Sequence, residues 1–561
     1  GDHPVDRLMR HADDEFDVLT GDAMNGHRSP ADVYRAQRGR HPPPGFDAWL
    51  AFAKKHNALI HERFFDRVYD DLRPFWGVKP AKIRGFAAGF GDALVVRNGT
   101  VTIRSDGVDR PWLGPWAEMV QEVAEHLPDL EMAMNVLDES RVIVPWETIA
   151  GAVEKEIAGR KSPEQLFESL ASYRTEYDLT WPDEMSRGVL SSSAQFVTAG
   201  KYWDLAKPGC HPASLARNDP FPNYSGAYPP PTQFLTHLFN DYVSNWTRAK
   251  DPCSQPHLRS RHGTFIEPLS ISTTTDLVPI FGGSKLSMNN DILLPAAMYY
   301  HDVSPGHVYS SSGTEPPWAK KSTKMIWRGV ASGGRNRHDT WPHFHRHGFV
   351  SMVNATAAHL VETGSSTPAQ TFRQLSPTAH LRIQPLREGR LGQWLPAFSD
   401  VAFTGLECFP QEPGFGCSYT DPYFALATPL PFAEMLTAKY LPDLDGNSYS
   451  ARYLEFLRSG SLPIKATLYN EWHDGRLVAW KHFVPMDNTF IDIYSIMEYF
   501  IGYGEKPPHD RAARKIATEG KEWAAKVLRK EDMVLYTFRL LLEYARLCDD
   551  GREELAYVGD Q

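Results

Sequence analysis

The segment IWRGVASGGRNRHDTWPHFHRHGFVSMVN holds the most suggestive chemistry in the chain. An apolar strand over Met325 to Trp327 runs into Arg328-Gly329 and then Ser332-Gly333-Gly334-Arg335-Asn336-Arg337. A helix is predicted to begin near Asp339 or Thr340, with Pro342 in its first turn. Strand, glycine turn and helix start would offer an anion bare N–H groups and the positive end of a helix dipole. Arg335 and Arg337 add planar donors suited to phosphate oxygens. The pattern is not a P-loop, since no Gly-Lys-Ser/Thr follows, nor is it GxGxxG. On local pattern alone a plain surface turn fits equally well.

Other residues invite a chemical reading and a plain one. Asp138 closes the apolar run LEMAMNVLD, where a carboxylate serves as a general base or as an ordinary turn or cap residue, and Asp129 and Glu131 stand nearby as rivals. Arg452 is spaced to pair with Glu455 one helical turn away. Glu471, in YNEW, reads on its own as an exposed loop glutamate. His343 and His347 are spaced to share an ion on one helix face, but no third ligand is evident. Asp443-Leu-Asp445 has the DxD form in which carboxylates hold Mn²⁺ against a diphosphate, a pattern also common by chance.

The elements that must position these groups are legible in outline. A chain of 561 residues allows about three to four domain units. Its 42% hydrophobic and 12% aromatic content supplies a sizeable core. A net charge of -10 argues against coating nucleic acid. No apolar run approaches the ~20 residues that span a bilayer. The chain opens Gly-Asp-His, which reads as a mature or truncated luminal part whose anchor or signal has been removed. Residues 1–110 are expected to be largely helical, and GFGDALVVRNGTVTIRSDG predicts a hairpin turning at Asn98-Gly99. Short apolar runs (LEMAMNVLD, LVPIFGG, KMIWRGVAS, SGSLPIKA) then alternate with helical patterns, as in an α/β protein with largely parallel sheets.

A Pro-rich stretch after Lys207 reads as a surface insertion, and the Pro/Gly/Ser break around 303–320 as a domain boundary. Helices are expected from about Asp510 to Asp549. The resulting division is a helical region 1–110, α/β domains 111–320 and 321–500, and helices 501–561 packing across both. Sequons at Asn98, Asn223, Asn245 and Asn354 point to a secretory route. Of five cysteines, Cys408 and Cys417 bracket a Pro/Gly loop and are the expected disulfide.

With these residues in view, the sequence resembles glycosyltransferase family 90, which includes fungal capsule-associated xylosyltransferases and animal protein O-glucosyltransferases. The WRG loop is one match. LPDLEMAMNVLDES, VPIFGGSKLSMNNDILLPAAMYY and the stretch from Lys439 to Met486 follow the family's other segments in the same order, together covering roughly residues 127 to 500. The resemblance implies a GT-B-type fold, two Rossmann-like domains facing across a cleft, with a helical N-terminal extension and C-terminal helices. It implies Asp138 as the base and places a UDP-sugar against Arg328, Gly329, Ser332, Gly333, Arg452, Glu471, Ser284 and Lys285. The arginine closing the phosphate loop is Arg337, with Arg335 as rival because this loop is longer. Val330 stands where animal members carry serine, leaving Ser332 as the nearest hydroxyl.

Arginines in place of a metal are implied, with no cofactor required and Mn²⁺ the disfavoured alternative. The SGGRNR loop and the insertion look more like the fungal branch, hence UDP-xylose as donor and a mannose-containing glycan or glycolipid as acceptor. UDP-glucose transfer to a protein serine is the alternative, and a non-catalytic glycan-binding protein the reading from outside the class. The compartment implied is the Golgi or ER lumen, with any membrane contact made by a missing N-terminal anchor.

Overall fold

The computed structural model describes residues 3–24, 28–106, 110–168, 170–182, 194–218, 235–301, 315–364 and 382–561. Among them the chain is a mixed α/β protein with two five-stranded sheets and one short ribbon. Strands β1 (Ala93–Arg97), β2 (Thr100–Arg104) and β3 (Leu130–Met134) begin the first sheet. The ribbon is β4 (Leu238–Phe239) and β5 (Tyr242–Val243), after which β6 (Ile280–Gly282) and β7 (Ile292–Leu293) complete the first sheet in the order β2-β1-β3-β6-β7. The second sheet comprises β8 (Ser322–Val330), β9 (Ser399–Gly405), β10 (Ala438–Leu444), β11 (Leu462–Ala466) and β12 (Val484–Pro485). All its pairings are parallel, in the order β12-β11-β10-β8-β9.

The predicted hairpin forms where expected. Asn98 and Gly99 both have positive φ, 47° and 73°, the combination a two-residue turn needs to match the twist of its strands. Strand β3 is buried throughout, including Glu131, whose carboxylate is neutralised by Arg97 of β1 and Arg104 of β2. The runs LVPIFGG, KMIWRGVAS and SGSLPIKA become β6, β8 and β11. Strands β9 and β10 were not anticipated. AKYLPDL (β10) is wholly buried despite Lys439, Pro442 and Asp443, because Lys465 of β11 pairs with Asp443 at 2.6 Å.

The anticipated C-terminal helical tract is two helices, Asp510–Val527 and Lys530–Cys548. The first packs on the second sheet and on the helix Tyr453–Arg458. The second lies among the N-terminal helices and touches the first sheet, Tyr544 donating to Glu131 O and Tyr536 to Leu293 O. Trp49 donates its indole N–H to Leu535 O, tying the N-terminal helices to the same element.

Two expectations are corrected. The disulfide joins Cys210 to Cys253, while Cys408 and Cys417 are buried free thiols. Cys210 and Cys253 lie on loops that dock together, Ala216 N donating to Cys253 O at 3.0 Å over a cluster containing Tyr202, Leu258 and Phe265. Burial pushes the Cys408 thiol up to about 12, with the neighbouring Cys417 adding to the shift. The helix expected at Asp339 or Thr340 begins later: a 3₁₀ turn covers Trp341–His343 and the α-helix is His345–Met352. Asn223, much of the Pro-rich stretch and part of the 303–320 break lie outside the described residues. Asn98 is exposed at the hairpin turn; Asn245, also exposed, and Asn354, partly buried, cap helices, accepting from Arg248 N and Ala357 N. Among the described residues no helix is long and apolar enough to cross a membrane.

Candidate functional site

Ranked by position along the chain, β8, β9, β10, β11 and β12 stand in the order 2-1-3-4-5, so the winding direction reverses between β8 and β10. In such sheets a crevice opens beyond the carboxyl ends of the strands at the reversal, because the following connections run to opposite faces. A cavity of about 520 Å³ lies there. On the second-sheet side it is lined by Arg328, Gly329, Val330 and Ser332 from the end of β8, Thr404 of β9, and Asn447 to Arg452 beyond β10. The first sheet faces it with its own carboxyl ends: Asn135, Leu137 and Asp138 follow β3, and Gly283 and Ser284 follow β6.

Three guanidiniums line the second-sheet side. Arg328 donates to Asp400 Oδ1 at 2.6 Å and to Asp400 O at 2.8 Å. Arg452 donates to Arg328 O at 2.7 Å. Arg346, on the helix His345–Met352, donates to Asp445 O, Val330 O and Ser332 Oγ at 3.0, 2.9 and 2.7 Å. Among the described residues neither Arg346 nor Arg452 has a carboxylate within ion-pair distance. Burial and then the repulsion of Arg452 pull Arg346 down to about 9, and burial lowers Arg452 as well, against the pull of Asp443. Two desolvated cations side by side make a place where an anion is favoured. Gly329 is needed between them, since a Cβ there would meet the Trp327 ring at 2.8 Å and Arg452 Nη2 at 3.3 Å.

Asp138 is half-buried and is the only carboxylate among the described residues that line the cavity. Its Oδ2 accepts from Asn447 Nδ2 at 3.0 Å. Its rivals are engaged elsewhere: Asp129 accepts from Asn98 N at 2.8 Å, and Glu131 is buried between its two arginines. Trp112, Trp116 and Met298 add apolar surface beside Asp138, with the Trp116 indole donating to Pro295 O at 2.9 Å.

Of the residues expected to bind the donor, Arg328, Gly329, Ser332, Ser284 and Arg452 line the cavity, whereas Gly333, Arg335, Arg337, Lys285 and Glu471 do not. The glycine turn is not an open anion nest. Gly333 N and Gly334 N both donate to Asn447 Oδ1 at 3.1 Å, and Arg335 N donates to Glu267 O. Gly334 has φ of 111° and lies so close to Glu267 O that a Cβ would meet it at 2.4 Å. Arg337 is drawn away by a two-point ion pair with Glu267, at 2.7 Å each, and Arg335 is exposed near the Phe409 ring. Lys285 donates to Asp71 at 2.6 Å and to Asp291 O at 2.7 Å.

Glu471 is buried behind the cavity wall rather than in an exposed loop. Burial pushes its carboxyl up to about 8, against the pull of Lys465, and so favours the neutral acid. The Tyr299 hydroxyl lies 2.7 Å from Glu471 Oε1 and 3.0 Å from Ser450 O, and has one proton for the two contacts. A protonated Glu471 donating to Tyr299, with Tyr299 donating to Ser450 O, satisfies both.

Neither suggested metal pattern faces the cavity. Asp443 is paired with Lys465, and Asp445 accepts from Leu468 N at 2.8 Å. His343 contacts Ser260 O, and His347 is buried among Trp341, Phe344, Phe403 and Phe424. The close group of potential ligands among the described residues is His262, His345 and Asp445. Thr264 N donates to His262 Nδ1, which puts that ring's proton on Nε2, facing Asp445 Oδ2 at 3.2 Å. That tautomer is a hydrogen-bond donor to the aspartate and has no lone pair at Nε2 for an ion.

Sequence reasoning missed Arg346, Asn447, Trp112 and Trp116 as cavity residues. The HFHRHGF run held the signal for Arg346, an arginine in a helix that follows a WRG strand.

Comparison with known proteins adds identity to this geometry. Residues 424–551 match the family model "Glycosyl transferase family 90", a span that includes Asn447 and Arg452 but not Asp138, Arg328 or Arg346. The chain is 25% identical to human protein O-glucosyltransferase 3 over 184 residues, 33% of this chain and 34% of that protein. It is 27% identical to the mouse protein O-glucosyltransferase 3 over 173 residues, and 24% identical to zebrafish protein O-glucosyltransferase 2 over 167. These matches span about a third of each relative's length. The resemblance read from the four ordered segments is thereby borne out.

Proposed function

We propose that this chain, a glycosyltransferase family 90 protein, is an inverting enzyme that moves a sugar from a UDP-sugar to an acceptor hydroxyl. Its two sheets would form the facing halves of a GT-B-type arrangement, with the donor held by residues 321–500 and the acceptor by residues 111–320. The helices of residues 1–110 and 501–561 would brace the two halves. The observation that carries the reading is the convergence of Arg328, Arg346 and Arg452 on a winding reversal, opposite a single carboxylate.

In the proposed step, Asp138 takes the proton of the acceptor hydroxyl while that oxygen forms a bond to the anomeric carbon. The bond from that carbon to the diphosphate oxygen breaks, and UDP leaves with the electron pair. Charge then builds on the diphosphate, where Arg346 and Arg452 stabilise it more in the transition state than in the ground state. Guanidiniums supply the positive charge that a metal supplies elsewhere, so transfer should not need Mn²⁺ or another cofactor.

The first donor to try is UDP-xylose, with a mannose-containing glycan or glycolipid as acceptor, from the resemblance of the SGGRNR loop to the fungal branch. Beyond Ser332 that loop is engaged outside the cavity, where Arg337 pairs with Glu267, and the relatives matched are named protein O-glucosyltransferases, so UDP-glucose and a protein hydroxyl form the second reading. The Cys210–Cys253 disulfide and the exposed sequon at Asn98 support work in an oxidising lumen of the secretory pathway, Golgi or ER.

Calorimetric titration with UDP, repeated in EDTA and followed by UDP-release assays on both sugar nucleotides, tests the proposal. UDP binding with turnover of one sugar nucleotide in EDTA is the expected result. No UDP binding under any condition would overturn it and leave a glycan-binding relic.

A further inference from the structure

Asn447 lies in the tight turn after β10, where Gly446 N donates to Ser448 O at 2.8 Å. Its side chain bridges the two sides of the cavity. Nδ2 donates to Asp138 Oδ2 at 3.0 Å, and Oδ1 accepts from Gly333 N and Gly334 N at 3.1 Å each. The orientation of the amide follows from its partners. Flipped, it would set an NH₂ group against two N–H donors and a carbonyl oxygen against a carboxylate. The backbone is held as well: Asn447 O accepts from the Tyr469 hydroxyl at 3.1 Å, and that hydroxyl lies 2.7 Å from Thr264 Oγ1. Asp138 thus has one oxygen, Oδ2, engaged by a rigid donor, while its Oδ1 has no hydrogen-bond partner among the described residues, in a side chain that lines the cavity.

We infer that Asn447 is a positioning residue for Asp138, setting the carboxylate in register with the wall that holds the donor. The inference rests on the proposed function, since it assumes that Asp138 is the base. Its physical content is orientation. A half-buried aspartate free to turn about its side-chain torsions would present a basic oxygen to the acceptor only part of the time, and misalignment of a reacting group by an ångström is costly. The anchor for that orientation is the backbone of Gly333 and Gly334 on the second sheet. The base is therefore referenced to the donor side and not only to its own strand.

The two arms of Asn447 can be cut separately. Asn447→Asp keeps an acceptor for Gly333 N and Gly334 N but turns the donor to Asp138 into a repelling oxygen. Asn447→Ser is too short to span the gap and removes both arms without adding charge, so it serves if the aspartate variant does not fold. The readouts are the melting temperature, UDP affinity by calorimetry, and UDP release from UDP-xylose and UDP-glucose with methyl α-mannoside or water as acceptor. For Asn447→Asp we expect kcat to fall on the order of 30- to 300-fold, with UDP affinity and donor KM within about threefold of wild type. In an Asp138→Asn background, Asn447→Asp should cost nothing further, because the residue it acts through is already disabled.

A kcat within about twofold of wild type in both variants would overturn the positioning role, as would an equal loss of UDP affinity and kcat in Asn447→Asp, or a full additional loss in the double variant. Failure of the underlying reading looks different. A wild-type chain that binds no UDP, or an Asp138→Asn variant that still transfers sugar, removes the base itself. UDP binding with an inactive Asp138→Asn and a fully active Asn447→Asp removes only the positioning.

Discussion

On its first-sheet side the cavity carries one carboxylate among Trp112, Trp116, Leu137 and Met298, whereas on its second-sheet side it carries Arg328, Arg346 and Arg452 with the hydroxyls of Ser332, Ser448 and Ser450. The sheets behind the two sides differ in the same sense. The first is mixed, with a partly exposed hairpin at its edge. The second is wholly parallel, and its strands β10 and β11 are buried along their full length. A parallel sheet aligns every carboxyl end on one rim, so chain segments after β8 and β10 converge there and can bring several cations to one anion. One strand end suffices to place one base. Under the proposed mechanism, proton removal and leaving-group stabilisation fall to opposite sides of the cavity, and Asn447 is the hydrogen-bonded link between those sides.

The sharpest way to break this contrast is Asp138→Asn. It removes the only carboxylate of the lining and keeps the acceptor oxygen for Asn447. Transfer should fall by about 10³-fold, within the usual range for losing a general base, with UDP affinity within a few-fold. Loss of UDP binding instead would mean that the two sides do not divide the work. Next in size is Arg452→Ala, expected to weaken UDP binding by roughly 1.5–3 kcal/mol if a charge-assisted hydrogen bond is lost. Arg337→Ala is its control. With that guanidinium paired to Glu267 outside the cavity, UDP affinity should stay unchanged, and a parallel drop in both variants would return the anion site to the glycine turn.

These pairs also mark how far the sequence could be read. The turn at Asn98-Gly99, the runs that became β3, β6, β8 and β11, and Asp138 at a strand end depend on local requirements: positive φ, an apolar run, an acidic residue where the run stops. What escaped depends on partners distant in the chain. Arg337 looks free until Glu267 captures it, and Lys285 until Asp71 does. β10 reads as polar until Lys465 neutralises Asp443. Arg346 lies fourteen residues beyond the Ser332 it contacts, so only the return of its helix to the β8 rim makes it part of the site. The Cys408–Cys417 spacing suggested closure, but spacing carries no information about which loops dock.

The smallest expected effect concerns the buried titrating groups behind the second-sheet side. His257, His345, His347, His473 and His482 are each held down to about 3 by burial, against an ordinary value of 6.5. Between pH 6.5 and 3 the unfolded chain binds protons that the folded chain refuses, so their contribution to stability is lost as pH falls through that window. Glu471 runs the other way. Its carboxyl is raised from 4.5 to about 8, so the folded chain keeps a proton that the unfolded chain releases, and stability falls as pH rises between those values. From pH 4.5 to 6.5 the two trends oppose, and the five histidines outweigh the raised carboxyls of Glu471, Asp291 and Asp492. Above pH 6.5 the histidines are neutral in both states, and the decline comes from carboxyls that burial holds protonated, Glu471 and Asp492 among them. The melting temperature should therefore peak near pH 6.5 and decline by about 1–3 °C towards pH 8. Glu471→Gln should make that alkaline decline shallower and leave the acid arm in place. If the decline in the variant is as steep as in the wild type, Glu471 is ionised in the folded chain, and the Tyr299 hydroxyl must donate to it rather than to Ser450.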